Sequence, residues 1–203
     1  MSFSDRKLIL ISIFFMIVGG LLFLHFYKVN PEDTTISKIS DGKYVKIVGT
    51  IISMKVVKDR YGYIKKIKYI KIGDETGGDL RIVAFGKVNN DLVKYITKSN
   101  PMIKEGDIVQ VVGTVSTYNG LYEIVLKDAD DFKLVEKRNF EKDIYLSPNP
   151  TNIYASKNGK TYHISKDCPY GRKISDKNII YFYSEDDAKA LGYKLCKWCS
   201  KNG

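Results

Sequence analysis

The sequence predicts an all-β barrel of five strands and one helix, followed by a small α+β metal-binding module. A single apolar helix precedes both. Three observations predict this. A 19-residue run near the N-terminus carries no Asp, Glu, Lys or Arg. Between about Thr35 and Glu136 apolar residues recur with period two, broken once by helical spacing. The chain then ends in a His and three Cys at metal-ligand spacing.

Composition sets the frame. The 203 residues carry a formal net charge of +10, which favours an anionic partner, either nucleic acid or an acidic membrane surface. Three cysteines are an odd number and exclude a complete disulfide framework. Fifteen tyrosines against one tryptophan suit strands, and tyrosine also stacks well on bases.

Residues 1–30 are read as an N-terminal membrane anchor. Leu8–Phe26, LILISIFFMIVGGLLFLHF, would reach about 28 Å as a helix, close to the hydrocarbon thickness of a bilayer. Arg6 and Lys7 precede it, and Tyr27 and Lys28 suit the headgroup region. A cleaved signal peptide would need a shorter apolar core and a small-residue site, where this chain has bulky LHFYKVN. The expectation is a single-pass cell-membrane protein with its soluble domains outside the cytoplasm. The Lys and Arg bias between the flanks is small, so the opposite orientation, against the anionic inner leaflet, stays open.

Residues 35–136 are read as the barrel. YVKIVGTIIS places Val45, Ile47, Gly49 and Ile51 on one face. IKYIKIGDETG separates Ile70 and Ile72 from Tyr69 and Lys71, and LRIVAFG turns Leu80, Ile82 and Ala84 inward. Val88, Leu92, Val93 and Ile96 then follow helical spacing. EGDIVQVVGTVSTYNGLYEIVL reads as a hairpin turning at Asn119-Gly120. Three strands, a helix and two strands is the order of the OB-fold. VKIVGTI, YIKIGDETGGDLRIVAF and EGDIVQVVGTV resemble the nucleic-acid-binding OB-fold family over about 90 residues.

The segment VVKDRYGYIKKIKYIK is read as the loop between the first two strands. It interleaves Lys58, Arg60, Lys65, Lys66, Lys68 and Lys71 with Tyr61, Tyr63 and Tyr69. Cations can follow phosphates while rings stack on bases. The candidate nucleic-acid-binding set is Lys58, Arg60, Tyr61, Tyr63, Lys65, Tyr69, Lys71, Arg81, Phe85 and Tyr118. The plainer alternative is a solvated hairpin, with Tyr serving strand propensity and Lys solubility. Nucleases that share the barrel need calcium on carboxylates with arginines at the scissile phosphate, and no such constellation is present. No catalytic residue and no small-molecule substrate are expected.

Residues 137–152, with Pro148 and Pro150, are read as a semi-extended linker. Residues 153–203 form the metal module. His163 and Cys168, then the distant Cys196 and Cys199, have the spacing of a small zinc site. A Tyr-rich strand at Ile179–Tyr183 and one helix complete it. Ser184 is the expected N-cap, and Gly192 the left-handed end. The rival for Cys196–Cys199 is a redox pair, but the βαβ context of such motifs is missing.

YHISKDCPY and YFYSEDDAKALGYKLCKWC resemble the metal-binding domain of the Ada DNA-repair protein and its stand-alone relatives, over Tyr154 to Ser200. The resemblance implies Zn2+ on His163, Cys168, Cys196 and Cys199, and possible contact with DNA. The repair branch uses four cysteines, the first of which accepts a methyl group; His163 stands at that position, with a first spacing one residue longer. That weakens methyl transfer. The reading is a membrane-anchored, non-catalytic binder of single-stranded DNA or RNA. The alternatives are an enzyme of DNA repair or hydrolysis, and an envelope module for protein or glycan.

Overall fold

The computed structural model describes residues 3–26 and 30–202, with side chains from Ile9 to Gly20 and from Asn30 to Asn202. It divides into two compact units, Met1–Glu32 and Asp33–Gly203.

The first unit holds one continuous helix, α1 (Phe3–Phe26). Ile9, Leu10, Ile11 and residues 13 to 17 on it expose large apolar side chains. Among the described residues, no helix is long and apolar enough to cross a membrane. The expected span, Leu8–Phe26, falls partly on positions whose side chains lie outside the described residues, as do Arg6 and Lys7. Tyr27 and Lys28 lie outside them altogether.

The second unit begins at Asp33, the last residue of a two-residue strand, β1 (Glu32–Asp33). Five strands then close a barrel: β2 (Tyr44–Lys58), β3 (Ile64–Gly73), β4 (Leu80–Val83), β5 (Ile108–Tyr118) and β6 (Leu121–Val125). β2 pairs antiparallel with β3, β3 with β4, β6 with β5, and β5 with β2, while β4 and β6 run parallel. This is the OB-fold connectivity, and the period-two pattern explains its core. Val45, Ile47, Ile70, Ile72, Ile82 and Ile124 are all buried inside. The expected turn is present, with Asn119 at φ 51° and Gly120 at φ 76°. A short strand, β7 (Phe132–Glu136), adds to β5.

α2 (Gly86–Thr97) closes one end of the barrel with Leu92 and Ile96. Asn89 is buried beside them. Its side chain accepts from the Ile67 N–H and donates to the Ile67 and Ala84 carbonyls, at 2.6 to 3.2 Å. Ile67 adjoins a bulge at Lys68 where the β2–β3 register shifts. The helix is therefore fastened to a backbone stretch where the ladder is irregular, which satisfies polar groups that burial would otherwise penalise.

One sequence expectation is corrected. The region expected as a long loop between the first two barrel strands is mostly strand. Alternating apolar residues continue through it, so Ile64 and Ile67 reach the core and only Asp59–Tyr63 turns. The Asp59 carboxylate closes that turn by accepting from the Tyr61 and Tyr63 N–H groups. Residues 137–152, read as a semi-extended linker, are tied to the barrel by hydrogen bonds. Asp107 accepts from the Arg138 and Asn139 N–H groups, both at 2.8 Å, and Asp143 pairs with Lys104 at 2.7 Å. Within the same stretch Leu146–Ser147 forms β8. Buried carboxylates gain more from these donors than the segment gains from free motion.

β8 opens a second sheet with β9 (Tyr154–Ser156), β10 (Thr161–His163), β11 (Ile179–Phe182) and β12 (Lys194–Leu195), in the order β12-β10-β9-β11-β8. α3 (Glu185–Ala190) is capped as expected: the Asp187 N–H donates to Ser184 Oγ, and Gly192 ends it at φ 84°. The core here is small, with Ala155, Tyr162, Phe182 and Ala188 fully buried. A sheet with so little apolar filling needs another source of stability.

Candidate metal centre and nucleic-acid interface

A cluster that could hold a metal ion lies at the β12–β10 edge of the second sheet. β10 ends at His163, and Cys168 follows in the next turn. β12 runs parallel to β10, and the Cys196 N–H donates to the Tyr162 carbonyl at 2.9 Å. Cys199 opens the short helix α4 (Cys199–Asn202). Two segments far apart in sequence are thereby brought side by side, and all four residues are buried. Their donor atoms lie within 4.8 Å of one another.

The spacings test the fit. His163 Nδ1 is 3.2 Å from Cys168 Sγ and 3.8 Å from Cys199 Sγ; Cys168 Sγ and Cys196 Sγ are 3.9 Å apart. A tetrahedron with zinc–sulfur bonds of about 2.3 Å places its sulfurs about 3.8 Å apart. A disulfide would need about 2.05 Å, and all three cysteines are free. The donor chemistry agrees. Burial holds His163 below its usual pKa and favours the neutral imidazole a metal requires. Burial opposes ionisation of Cys168, but the Gly171 and Tyr170 N–H groups aim at its sulfur and bring it below the ordinary thiol range. Burial pushes the Cys199 thiol up, against N–H groups from Ile164 and Ser165. Three sulfurs and one imidazole could hold Zn2+ in a closed, four-ligand site. Such a site stabilises a fold that its own core would not.

Around the centre, Tyr154 packs its ring 5.4 Å from His163 and donates to the Ser165 carbonyl at 3.0 Å. Gly171 allows this approach: a Cβ there would lie 2.2 Å from the Tyr154 hydroxyl. Lys166, Arg172, Lys173 and Lys177, near the first ligand pair, are exposed.

The candidate nucleic-acid residues fall into two groups. One lies on the outer face of the barrel. Strand pairing aligns Ser53, Lys71, Arg81, Glu123 and Ser116 in one row across five strands. Lys55 and Tyr69 pair in the next row. The Arg81 guanidinium lies 4.9 Å from the Tyr69 ring centre, within cation–π range. Lys71 contacts Asp79. Phe85, at the entry to α2, is exposed, as is Tyr118 at the β5–β6 turn, on the same strand parity as Ser116. Lys58, Lys65 and Lys66 are exposed along the β2–β3 hairpin, with Lys65 3.4 Å from Asp59.

The other group, Arg60, Tyr61 and Tyr63, lies at the hairpin tip and turns towards the second sheet. Tyr63 stacks on Tyr145 at 4.4 Å with an 8° tilt, and its hydroxyl is 3.4 Å from that of Tyr183. That hydrogen bond and then burial push Tyr63 up to about 12. The Leu146 N–H donates to the Tyr61 carbonyl at 2.9 Å. Sequence reasoning missed Lys55, which strand alternation would have placed beside Tyr69. It also missed Tyr145, Tyr183 and Tyr193, for which no local signal exists.

Residues 45–131 match the family model described as an OB-fold nucleic acid binding domain. Barrel and cluster together define the class: an OB-fold domain joined to a small sheet that carries a Cys3His cluster. The chain belongs to the same family as the uncharacterized protein MJ0818 of Methanocaldococcus jannaschii, with 49% identity over 203 residues and all of both chains covered. Among solved structures, a domain of replication protein A from Methanococcus maripaludis is 22% identical. That match covers 52% of this chain and 98% of that one, with a TM-score of 0.37. The S. pombe Stn1–Ten1 complex matches at 18% identity and a TM-score of 0.35, over 46% of this chain and 59% of that one.

Proposed function

We propose that the protein is a non-catalytic binder of single-stranded DNA or RNA that reads the strand on the outer face of β3 and β4. The observation that carries this is the pairing of charge with an aromatic ring at Arg81 and Tyr69, with Lys55 and Lys71 flanking it. Such a face follows phosphates with its cations and offers its rings to bases irrespective of sequence. Fluorescence anisotropy of the full chain in detergent, with labelled dT15 and rU15 across a salt series, tests it. Arg81→Ala should make the salt slope shallower by about 0.7, the value of one phosphate contact on a single strand. Tyr69→Ala should weaken binding about 5- to 150-fold, as expected for one lost stack of about 1–3 kcal/mol. Absence of binding at 50 mM salt, or a flat salt dependence, would refute the proposal.

The Ada-like motifs support zinc as the resident ion and the second sheet as a further contact for the strand. His163 holds the methyl-acceptor position of that family, and an imidazole does not supply the thiolate that the transfer needs. Bound zinc would act as a cross-link between the turn after β10 and the chain that follows β12, at one edge of the sheet. Mass spectrometry after incubation with methylated DNA should find the cysteines unmodified; a methyl adduct on any of them would restore the repair reading.

Attachment to the membrane through residues 8–26 is a part of the proposal that the exposed apolar side chains on α1 favour. The remaining domains would then lie outside the cytoplasm. Alkaline carbonate should leave the protein in the membrane pellet, and external protease should digest residues 33–203 in intact cells. Release by carbonate would remove the anchor.

A further inference from the structure

The hairpin tip and the second sheet enclose a cleft of about 760 Å³. Arg60 and Tyr61 line it from the barrel, and Lys157, Lys177, Tyr181 and Tyr193 from the second sheet. Leu146, Ile179 and Leu191 add apolar surface, and no carboxylate lines it. A pocket of this size, largely apolar with a few convergent polar groups, is typical of small-ligand sites. Here every charged group at the wall is a cation.

The walls are held from both sides. The Leu146 N–H bond to Tyr61 and the Tyr63–Tyr145 stack fix the hairpin tip. The Lys157 N–H donates to the Asn178 carbonyl at 2.8 Å, which brings the two lysine-bearing turns together. The Tyr193 hydroxyl donates to the Lys157 carbonyl at 3.4 Å. Lys157 and Lys177 are exposed and form no ion pair among the described residues, so their charges are available to an anion.

We propose that this cleft is a nucleotide site, separate from the barrel face, in which a base lies against Tyr193 while its phosphate meets Lys157 and Lys177. Arg60 lies over the Tyr61 ring, 4.6 Å from its centre, and donates to the Tyr61 hydroxyl, so this pair forms the wall on the barrel side. For a nucleotide within a strand, this rests on the nucleic-acid reading above. It makes the chain a two-point clamp, with the zinc-held sheet forming one jaw. The same chemistry would admit a free mononucleotide.

Lys157→Ala/Lys177→Ala in the full chain, kept in detergent, separates the possibilities. Binding of labelled dT4, dT15 and free dTMP is measured across a salt series. The double variant should bind dT15 more weakly, with a salt slope shallower by about 1.4 for two lost phosphate contacts, and should bind dT4 as the wild type does. Tight binding of dTMP that the variant loses would also support the site and assign it to a free nucleotide. Wild-type behaviour of the variant towards all three probes would overturn the cleft site and leave the barrel reading standing. Equal weakening of dT4 and dT15 would mark a diffuse charge effect and also overturn it. Wild-type protein that binds dTMP but neither oligonucleotide would refute the barrel reading alone; binding of none would refute both.

Discussion

Replacing Asp107 by Asn should cost about 3 kcal/mol, because this carboxylate ties the barrel to the chain that leads into the second sheet. Its side chain is fully buried. Oδ1 accepts from the Arg138 and Asn139 N–H groups, both at 2.8 Å. Oδ2 accepts from the Lys104 N–H at 2.9 Å and from Lys137 Nζ at 2.7 Å. An amide oxygen can still serve the first pair, but the NH2 group would then face two donors. One lost charge-assisted bond is worth about 1.5–3 kcal/mol, and one stranded N–H about 1–3 kcal/mol. Lys137 keeps its bond to the Met102 carbonyl, which places the total near the lower end of the range for a broken buried pair. At an m-value of about 2 kcal/mol/M, the urea midpoint should fall by about 1.5 M. The pH dependence follows from the same contacts. Burial opposes ionisation, yet the Asn139 N–H, the Lys137 ammonium and the other donors outweigh it and lower the carboxyl pKa. A lowered folded-state pKa gives stability that is complete above the unfolded value near 3.9 and is lost as pH falls through the folded value. The midpoint difference between wild type and Asp107→Asn should therefore be constant above about pH 5 and shrink below pH 4. A difference under 0.5 M at pH 7, or one that grows on acidification, would refute the reasoning.

Three further predictions concern the metal centre. Purified protein should carry one zinc per chain by elemental analysis. Removing it with a chelator should abolish hydrogen-exchange protection across residues 154–163 and 194–199 while residues 109–115 of the barrel keep theirs, since metal binding of about 10–16 kcal/mol exceeds what four fully buried residues supply. Metal-free protein that stays protected over 154–163 would contradict this. Gly171→Ala should drive Tyr154 from its bond to Ser165, at a cost of about 1–3 kcal/mol for overpacking, and speed zinc loss to a competing chelator. Unchanged zinc retention would show that the turn can yield.

The sequence alone determined most of the barrel and the ligands of the cluster, because both are written in local spacing. Alternation placed Ile47, Ile70 and Ile82 inside, since successive strand side chains point to opposite faces. Asn119-Gly120 marked its turn through the positive φ it permits. His163, Cys168, Cys196 and Cys199 could be named together because thiol and imidazole at that spacing have few other uses. The tertiary structure decided what lies next to what. Arg81 meets Tyr69 only through the register of β3 and β4, which no single segment encodes. The same Tyr-Lys run that read as one loop was divided between an outer strand face and a contact with the second sheet. Its tip packs on Tyr145 and Tyr183, 82 and 120 residues away from Tyr63. Those contacts come from the closing of the chain on itself, where burial of rings and pairing of backbone groups outweigh local preference, so they follow from the whole fold and from no shorter stretch of it.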